Sequence, residues 1–380
     1  MTDLMQNIQM VDLKGQYEKI KSEIDVAISE VIDSTRFIGG PKLIEFKSNL
    51  EKQLDVKHVI PCANGTDALQ IALMALDLKP GDDVIVPAFT YVATAEVIAL
   101  LQLNPIMVDV DPDTFNVTAE ILEAAITPNS KAIVPVHLFG QSSDMEPIMK
   151  VAEKHNLYVI EDNAQAINAD YTFADGTVKK AGTIGHIGTT SFFPSKNLGC
   201  YGDGGAIFCN DDQLANKIKM VANHGQSKRY YHEIVGCNSR LDAIQAVVLD
   251  VKLKHLDDYC LARQKAASFY DEAFSGISEI TIPKRQFNST HVFHQYTLKI
   301  KNGKRDALAV YLKENNIPFG IYYPLPLYRQ NAFAKYFDGS PLPVTEELCS
   351  SVISLPIHTE MDSDLLEYIS GKVKAFFSMS

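Results

Sequence analysis

A lysine attacks a carbonyl only as the neutral amine, so a chemically useful lysine needs apolar surroundings that lower its pKa. Lys196 has such company in Ser191-Phe192-Phe193-Pro194-Ser195-Lys196, and the glycine-rich Gly199-Cys200-Tyr201-Gly202-Asp203-Gly204-Gly205 follows it. A lysine on such a loop can equally be an ordinary solvated cation. Asp162 stands in Glu161-Asp162-Asn163-Ala164-Gln165, at the end of an apolar run. A carboxylate there can pair with a protonated ring nitrogen and keep the ring able to absorb electrons, or it can cap the next helix. Cys62-Ala63-Asn64-Gly65-Thr66-Asp67 opens a helix directly after a strand. Backbone amides and the helix dipole at that junction suit a phosphate, with Gly65 allowing close approach and Thr66 adding a hydroxyl. A cap by Asn64 or Thr66 without any ligand fits the same residues. Tyr91, in Phe89-Thr90-Tyr91-Val92, can lie against a flat ring or simply pack. A nucleophilic lysine, a ring-pairing aspartate and a phosphate cradle together suit pyridoxal phosphate (PLP).

These residues need a frame. Apolar runs at 59–61, 84–87, 106–110, 132–136 and 158–162 alternate with helical patterns at 66–75, 93–103, 119–126 and 145–156. Such alternation predicts a mostly parallel sheet covered on both faces, extended by runs at 189–193 and 205–209. Ligands of open α/β sheets gather at the carboxyl ends of strands, where Asp162 falls. Upstream, Ile20, Ile24, Ala27 and Val31 predict a helix that runs into the breaker Gly39-Gly40-Pro41. Leu241, Ile244, Val248 and Val251 step by threes and fours, predicting one long helix that leaves the first domain. Beyond it, β-rich stretches at 292–300 and 318–323 mix with helices at 304–315 and 362–376. The expected division is a large α/β domain over 1–245 and a smaller α+β domain over 246–380.

A chain of 380 residues is long enough for both cores. Its net charge of −12 argues against a nucleic-acid surface, since phosphate backbones are held by clustered Lys and Arg. Residues 1–6 show neither the basic nor the apolar region of a signal peptide, and no apolar run approaches the ~18–20 residues of a membrane span. The cysteines at 62, 200, 209, 237, 260 and 349 form no C-x-x-C pair, which suits reduced thiols in the cytoplasm. His224, His291 and His294 are spaced unlike metal ligands and are expected to be structural, so no metal site is expected. Neither a G-x-S-x-G elbow nor a Walker-type phosphate loop occurs.

Taken in order from Phe37-Ile38-Gly39-Gly40-Pro41 onward, these segments resemble the sugar aminotransferases of the DegT/DnrJ/EryC1/StrS family, of aspartate aminotransferase-like fold type I. Nearly the whole chain takes part, through Gly65-Thr66, Tyr91, Asp162 with Gln165, Ser191 with Lys196, and Asn238-Ser239-Arg240-Leu241-Asp242. The resemblance implies that Gly65, Thr66 and Ser191 bind the PLP phosphate, Tyr91 stacks on the ring, Asp162 pairs with its nitrogen and Gln165 bonds its hydroxyl. It implies that Lys196 forms the Schiff base and then moves the proton during transfer from L-glutamate. It further implies a homodimer with shared sites, in which Asn238 reaches the neighbouring cofactor's phosphate and Arg240 lies near that subunit's substrate. Gly320-Ile321-Tyr322-Tyr323-Pro324 resembles the family's substrate loop, with Tyr322 where relatives often carry His. The stretch 172–180 looks longer than the usual connection.

Dehydratase relatives replace the lysine with His or use an iron–sulfur cluster; Lys196 and the scattered cysteines favour aminotransfer. The segment around Lys196 resembles most the branch that aminates C3 of nucleotide-linked 3-keto sugars. It implies UDP-linked 3-keto-N-acetylglucosaminuronic acid as acceptor, destined for a bacterial surface polysaccharide such as lipopolysaccharide. The alternatives are a dTDP-3-keto-6-deoxyhexose, amination at C4, or an inactive regulatory protein of the same fold.

Overall fold

The computed structural model describes residues 8–337 and 339–379; residues 1–6, discussed above for export signals, lie outside the described residues. Helix α1 (Leu13–Ser34) and helix α2 (Pro41–Leu54) flank the Gly39-Gly40 turn. Both glycines adopt positive φ there, and Pro41 starts α2 at a position where its missing N–H costs nothing. The breaker therefore ends one helix and begins another.

The apolar runs become β1 (His58–Cys62), β2 (Asp83–Pro87), β3 (Asn104–Val108), β4 (Ser130–Ile133) and β5 (Tyr158–Asp162). A small hairpin of β6 (Asp170–Thr172) and β7 (Val178–Lys180) occupies the long connection, before β8 (Ile187–Ser191) and β9 (Gly205–Cys209). The main sheet has seven strands in the order β1-β9-β8-β5-β4-β2-β3. β9 runs antiparallel to both neighbours and the other pairings are parallel. The expected mostly parallel α/β sheet is what forms.

Both faces are covered, which is why β2 and β9 are buried along their whole length and most strands have an apolar centre. One face packs against α3 (Gly65–Ala75), α4 (Ala93–Leu100) and, further along the chain, α7 (Asp212–Ala222), through Leu69, Val97 and Ile218 among others. The other face meets α5 (Ala119–Ala124) and α6 (Met145–His155) through Leu122 and Ile148. After α7, an exposed hairpin of β10 (Gln226–Lys228) and β11 (Tyr231–His232) leads to α8 (Ala243–Leu253).

The single long helix expected from residue 241 is instead α8 followed by α9 (Leu256–Phe274), broken at Lys254 and His255. The bend lets Leu253, Leu256 and Cys260 enter one core with Phe46 and Leu50 of α2. A second sheet joins β12 (Ile280–Thr281), β13 (Tyr296–Ile300) and β14 (Val352–Leu355), all antiparallel. Its core draws on α9, α10 (Arg305–Glu314) and α12 (Ser363–Ser378), while α11 (Pro343–Ser351) runs into β14. The stretch at 318–323 contributes only a bridge from Gly320 to Ser354. No helix among the described residues is long and apolar enough to cross a membrane.

Candidate active site

β5 and β8 are parallel neighbours, so their last residues, Asp162 and Ser191, emerge on the same edge of the sheet. β1 runs the same way, since both it and β8 oppose β9, and it delivers the start of α3 to that edge. Asn64 caps α3 by accepting the Asp67 amide at 2.8 Å. The first amides of a helix have no intrahelical acceptor, so those of Gly65 and Thr66 are available to an anion. Gly65 is required by space rather than by backbone angle: a Cβ there would lie 2.7 Å from the Ser191 Cβ.

Asp162 is 5% exposed. Its carboxylate accepts the Thr94 hydroxyl at 2.8 Å and the Ala164 amide at 3.2 Å. Burial pushes its pKa up, opposed by those two bonds and by the nearby charges of Lys196 and His137. Lys196 keeps some contact with solvent, yet enough protein surrounds it to bring its pKa down to about 8, with Asp162 pulling the other way. Its Nζ stands 3.4 Å from Nε2 of the buried His294.

Gln165 is held at both ends. Its Oε1 accepts the Phe139 amide at 2.7 Å, and its Nε2 donates to the Tyr323 hydroxyl at 3.3 Å. The Tyr323 ring in turn lies 6.5 Å from the exposed ring of Tyr91, tilted by 43°. Tyr322 and Tyr323 are partly buried, and burial raises both phenols.

Gly65, Ser191, Asp162, Gln165, Tyr323, Tyr91 and Lys196 are thus linked around one edge of the sheet. Asn238 and Arg240 are not. Both are exposed, and among the described residues neither side chain meets a hydrogen-bonding or ionic partner. Between them, Ser239 accepts the Ala63 amide at 3.0 Å, which ties their segment beside the start of α3. Sequence reasoning missed Thr94 and took His294 for a structural residue. The contact of His294 with Lys196 spans 98 residues of sequence, and no local spacing announces it.

PLP fits these residues. A buried carboxylate whose charged form burial disfavours suits a protonated ring nitrogen, the close packing of Gly65 on Ser191 sets a hydroxyl beside the first amides of α3 and suits a phosphate, and an amine with a lowered pKa suits an aldehyde. Fold and site together define a PLP-dependent aminotransferase built on a mostly parallel α/β sheet.

The chain belongs to the DegT/DnrJ/EryC1/StrS aminotransferase family, which it matches over residues 18–374. It is 44% identical, over 95% of its length and 98% of the relative's, to the UDP-2-acetamido-2-deoxy-3-oxo-D-glucuronate aminotransferase of Pseudomonas aeruginosa. A pleiotropic regulatory protein of Geobacillus stearothermophilus is also 44% identical, with 98% and 99% covered. The UDP-N-acetyl-3-dehydro-alpha-D-glucosamine 3-aminotransferase of Acidithiobacillus ferrooxidans is 41% identical, with 97% of each covered. Among solved structures, a DegT DnrJ EryC1 StrS aminotransferase from Brucella abortus superposes with a TM-score of 0.92 at 41% identity, covering 98% of this chain and 100% of that one. A Bacillus subtilis protein solved with bound PMP, the amino form of the cofactor, gives 0.90 at 28% identity, covering 98% and 86%.

Proposed function

We propose that this aminotransferase carries the amino group of L-glutamate to C3 of UDP-linked 3-keto-N-acetylglucosaminuronic acid, for a bacterial surface polysaccharide such as lipopolysaccharide. The observation that carries the chemistry is Lys196, an amine of lowered pKa within electrostatic reach of the buried Asp162. The sugar assignment is supported by the 44% identity to an enzyme named for that substrate.

When bound, PLP supplies the electron sink and holds the amino group between the two half-reactions. The protein's part is positional and acid–base. Gly65, Thr66 and Ser191 would hold the phosphate, Asp162 would keep the ring nitrogen protonated, Gln165 would bond the ring hydroxyl and Tyr91 would cover the ring. The Lys196 amine would be the base that takes the proton from the donor's α-carbon and, in the second half-reaction, the acid that delivers a proton to C3 of the acceptor sugar. Asn238 and Arg240, exposed and without a side-chain partner among the described residues, serve the neighbouring site of a homodimer, Asn238 at the phosphate and Arg240 at the sugar. Tyr322 and Tyr323 face the sugar. The division at residue 245 would put every cofactor-holding residue in the larger domain. Unclustered cysteines suit a reducing cytoplasm, where we place the reaction.

A panel of UDP- and dTDP-linked 3-keto and 4-keto sugars, assayed with L-glutamate, tests the assignment. Turnover should be fastest with the UDP-uronic 3-ketone, and no turnover of any 3-keto sugar refutes it. The relative named as a pleiotropic regulatory protein favours a second reading, an inactive regulator of the same fold. A regulator has no use for the Asp162–Lys196 pair, and L-glutamate would leave its cofactor unchanged.

A further inference from the structure

Lys196 has a second neighbour besides Asp162: its Nζ lies 3.4 Å from Nε2 of His294. His294 belongs to a segment fixed by hydrogen bonds from several elements. Asn197, the residue after Lys196, donates to the Val292 carbonyl at 2.8 Å. The carbonyls of Gly140 and Phe139 accept the Val292 and Gln295 amides at 2.8 and 3.2 Å. Arg263, buried in α9, donates to the carbonyls of Phe293 and His294 at 3.1 and 3.4 Å. Even Gly140 is set by this segment, because a Cβ there would lie 2.8 Å from the Phe293 nitrogen. Through Phe139 the same turn also holds Gln165.

We propose that His294 is a positioning residue for Lys196: its Nε2 accepts a hydrogen bond from Lys196 and aims the free amine at the cofactor whenever the two are not bonded. The tautomer follows from the donors present. An ammonium has only N–H groups to offer, so the imidazole must accept at Nε2 and carry its proton on Nδ1, which has no partner among the described residues. Burial, with the charges of Lys196 and Arg263, keeps this ring neutral by lowering its pKa well below the usual histidine range. Asp162 acts on Lys196 as well, its negative charge favouring the ammonium that burial disfavours.

This inference rests on Lys196 being the amine that bonds PLP, and the test separates the two claims. Cofactor-stripped protein is offered either pyridoxamine phosphate, which has no aldehyde and reports the cradle alone, or PLP. With PLP, the neutral Lys196 amine forms a nitrogen–carbon bond and the aldehyde oxygen leaves as water with both amine hydrogens. His294→Phe keeps a flat ring without an acceptor. It should hold pyridoxamine phosphate within about twofold of the unaltered protein while capturing PLP roughly tenfold more slowly. His294→Gln, which can still accept, should restore capture to within about threefold. Unaltered capture by His294→Phe overturns the proposal, as does a parallel loss of pyridoxamine phosphate affinity, which marks a purely structural role. If His294→Phe does not fold, nitrogen-labelled histidine spectra of the unaltered protein decide: Nε2 must be unprotonated at about pH 7 and must shift in Lys196→Ala. A protonated Nε2 overturns the proposal. Covalent capture of PLP by Lys196→Ala would instead overturn the assignment of Lys196 itself.

Discussion

No side chain at residue 65 can coexist with Ser191: a Cβ on Gly65 would lie 2.7 Å from the Ser191 Cβ and 3.2 Å from its Oγ. Two elements distant in sequence, the start of α3 and the end of β8, therefore meet at a spacing that only glycine permits. The contact brings Ser191 beside the first amides of α3.

Gly65→Ala tests that contact. The methyl group must push β8 and α3 apart or turn Ser191 aside, so the affinity for pyridoxamine phosphate should fall on the order of tenfold to a hundredfold. Calorimetry on cofactor-stripped protein measures it. Unchanged affinity would remove Gly65 and Ser191 from the phosphate site.

A second prediction concerns stability. Glu161, which alternates with Asp162 along β5, is fully buried and accepts His137 Nε2 at 2.8 Å and the amides of Gly182, Ile184 and Gly185 at 2.8, 2.7 and 2.5 Å. Its removal leaves all four donors unsatisfied. Glu161→Ala should cost about 3 kcal/mol in urea unfolding of the cofactor-free protein. A loss below about 1 kcal/mol would mean that water replaces the carboxylate there.

Much of this was legible in the sequence. Strands of the main sheet such as β2, β5 and β9 are buried on both faces and read as apolar runs, and Asp162 stands at the end of one of them. Gly65, Ser191 and Lys196 lie close to strand or helix ends, which punctuation in the sequence reveals. What escaped depends on contacts between distant segments. The α8–α9 bend is set by packing onto α2, not by a glycine or proline at Lys254-His255. The hairpin of β6 and β7 is too short and polar to show a strand pattern. His294 acquires its place from Asn197, Phe139, Gly140 and Arg263, none of them near it in sequence.

The pH dependence of cofactor capture follows from Lys196. Its pKa of about 8 lies below the ordinary lysine value because burial disfavours the charged form, so the reactive neutral amine gains population as pH rises. Capture of PLP should accelerate about tenfold per unit below pH 8 and level off above it. Stopped-flow absorbance on cofactor-stripped protein measures the profile. A rate still climbing steeply beyond pH 10 would show an unperturbed lysine.

Shared sites can be tested by complementation. Lys196→Ala and the double variant Asn238→Ala, Arg240→Ala should each be nearly inactive alone. Mixed after dissociation, random pairing gives hybrids with one intact site, and about a quarter of the unaltered activity should return. Absence of any recovery would confine Asn238 and Arg240 to their own subunit or exclude them from the site.

The most direct measurement is the visible spectrum of the purified protein before and after L-glutamate. A yellow band from PLP bonded to Lys196 should be present, should bleach on addition of L-glutamate, and should be missing as a bonded species in Lys196→Ala. A protein that stays colourless with added PLP, or whose colour L-glutamate leaves untouched, would contradict the assignment of Lys196 as the working amine of an aminotransferase.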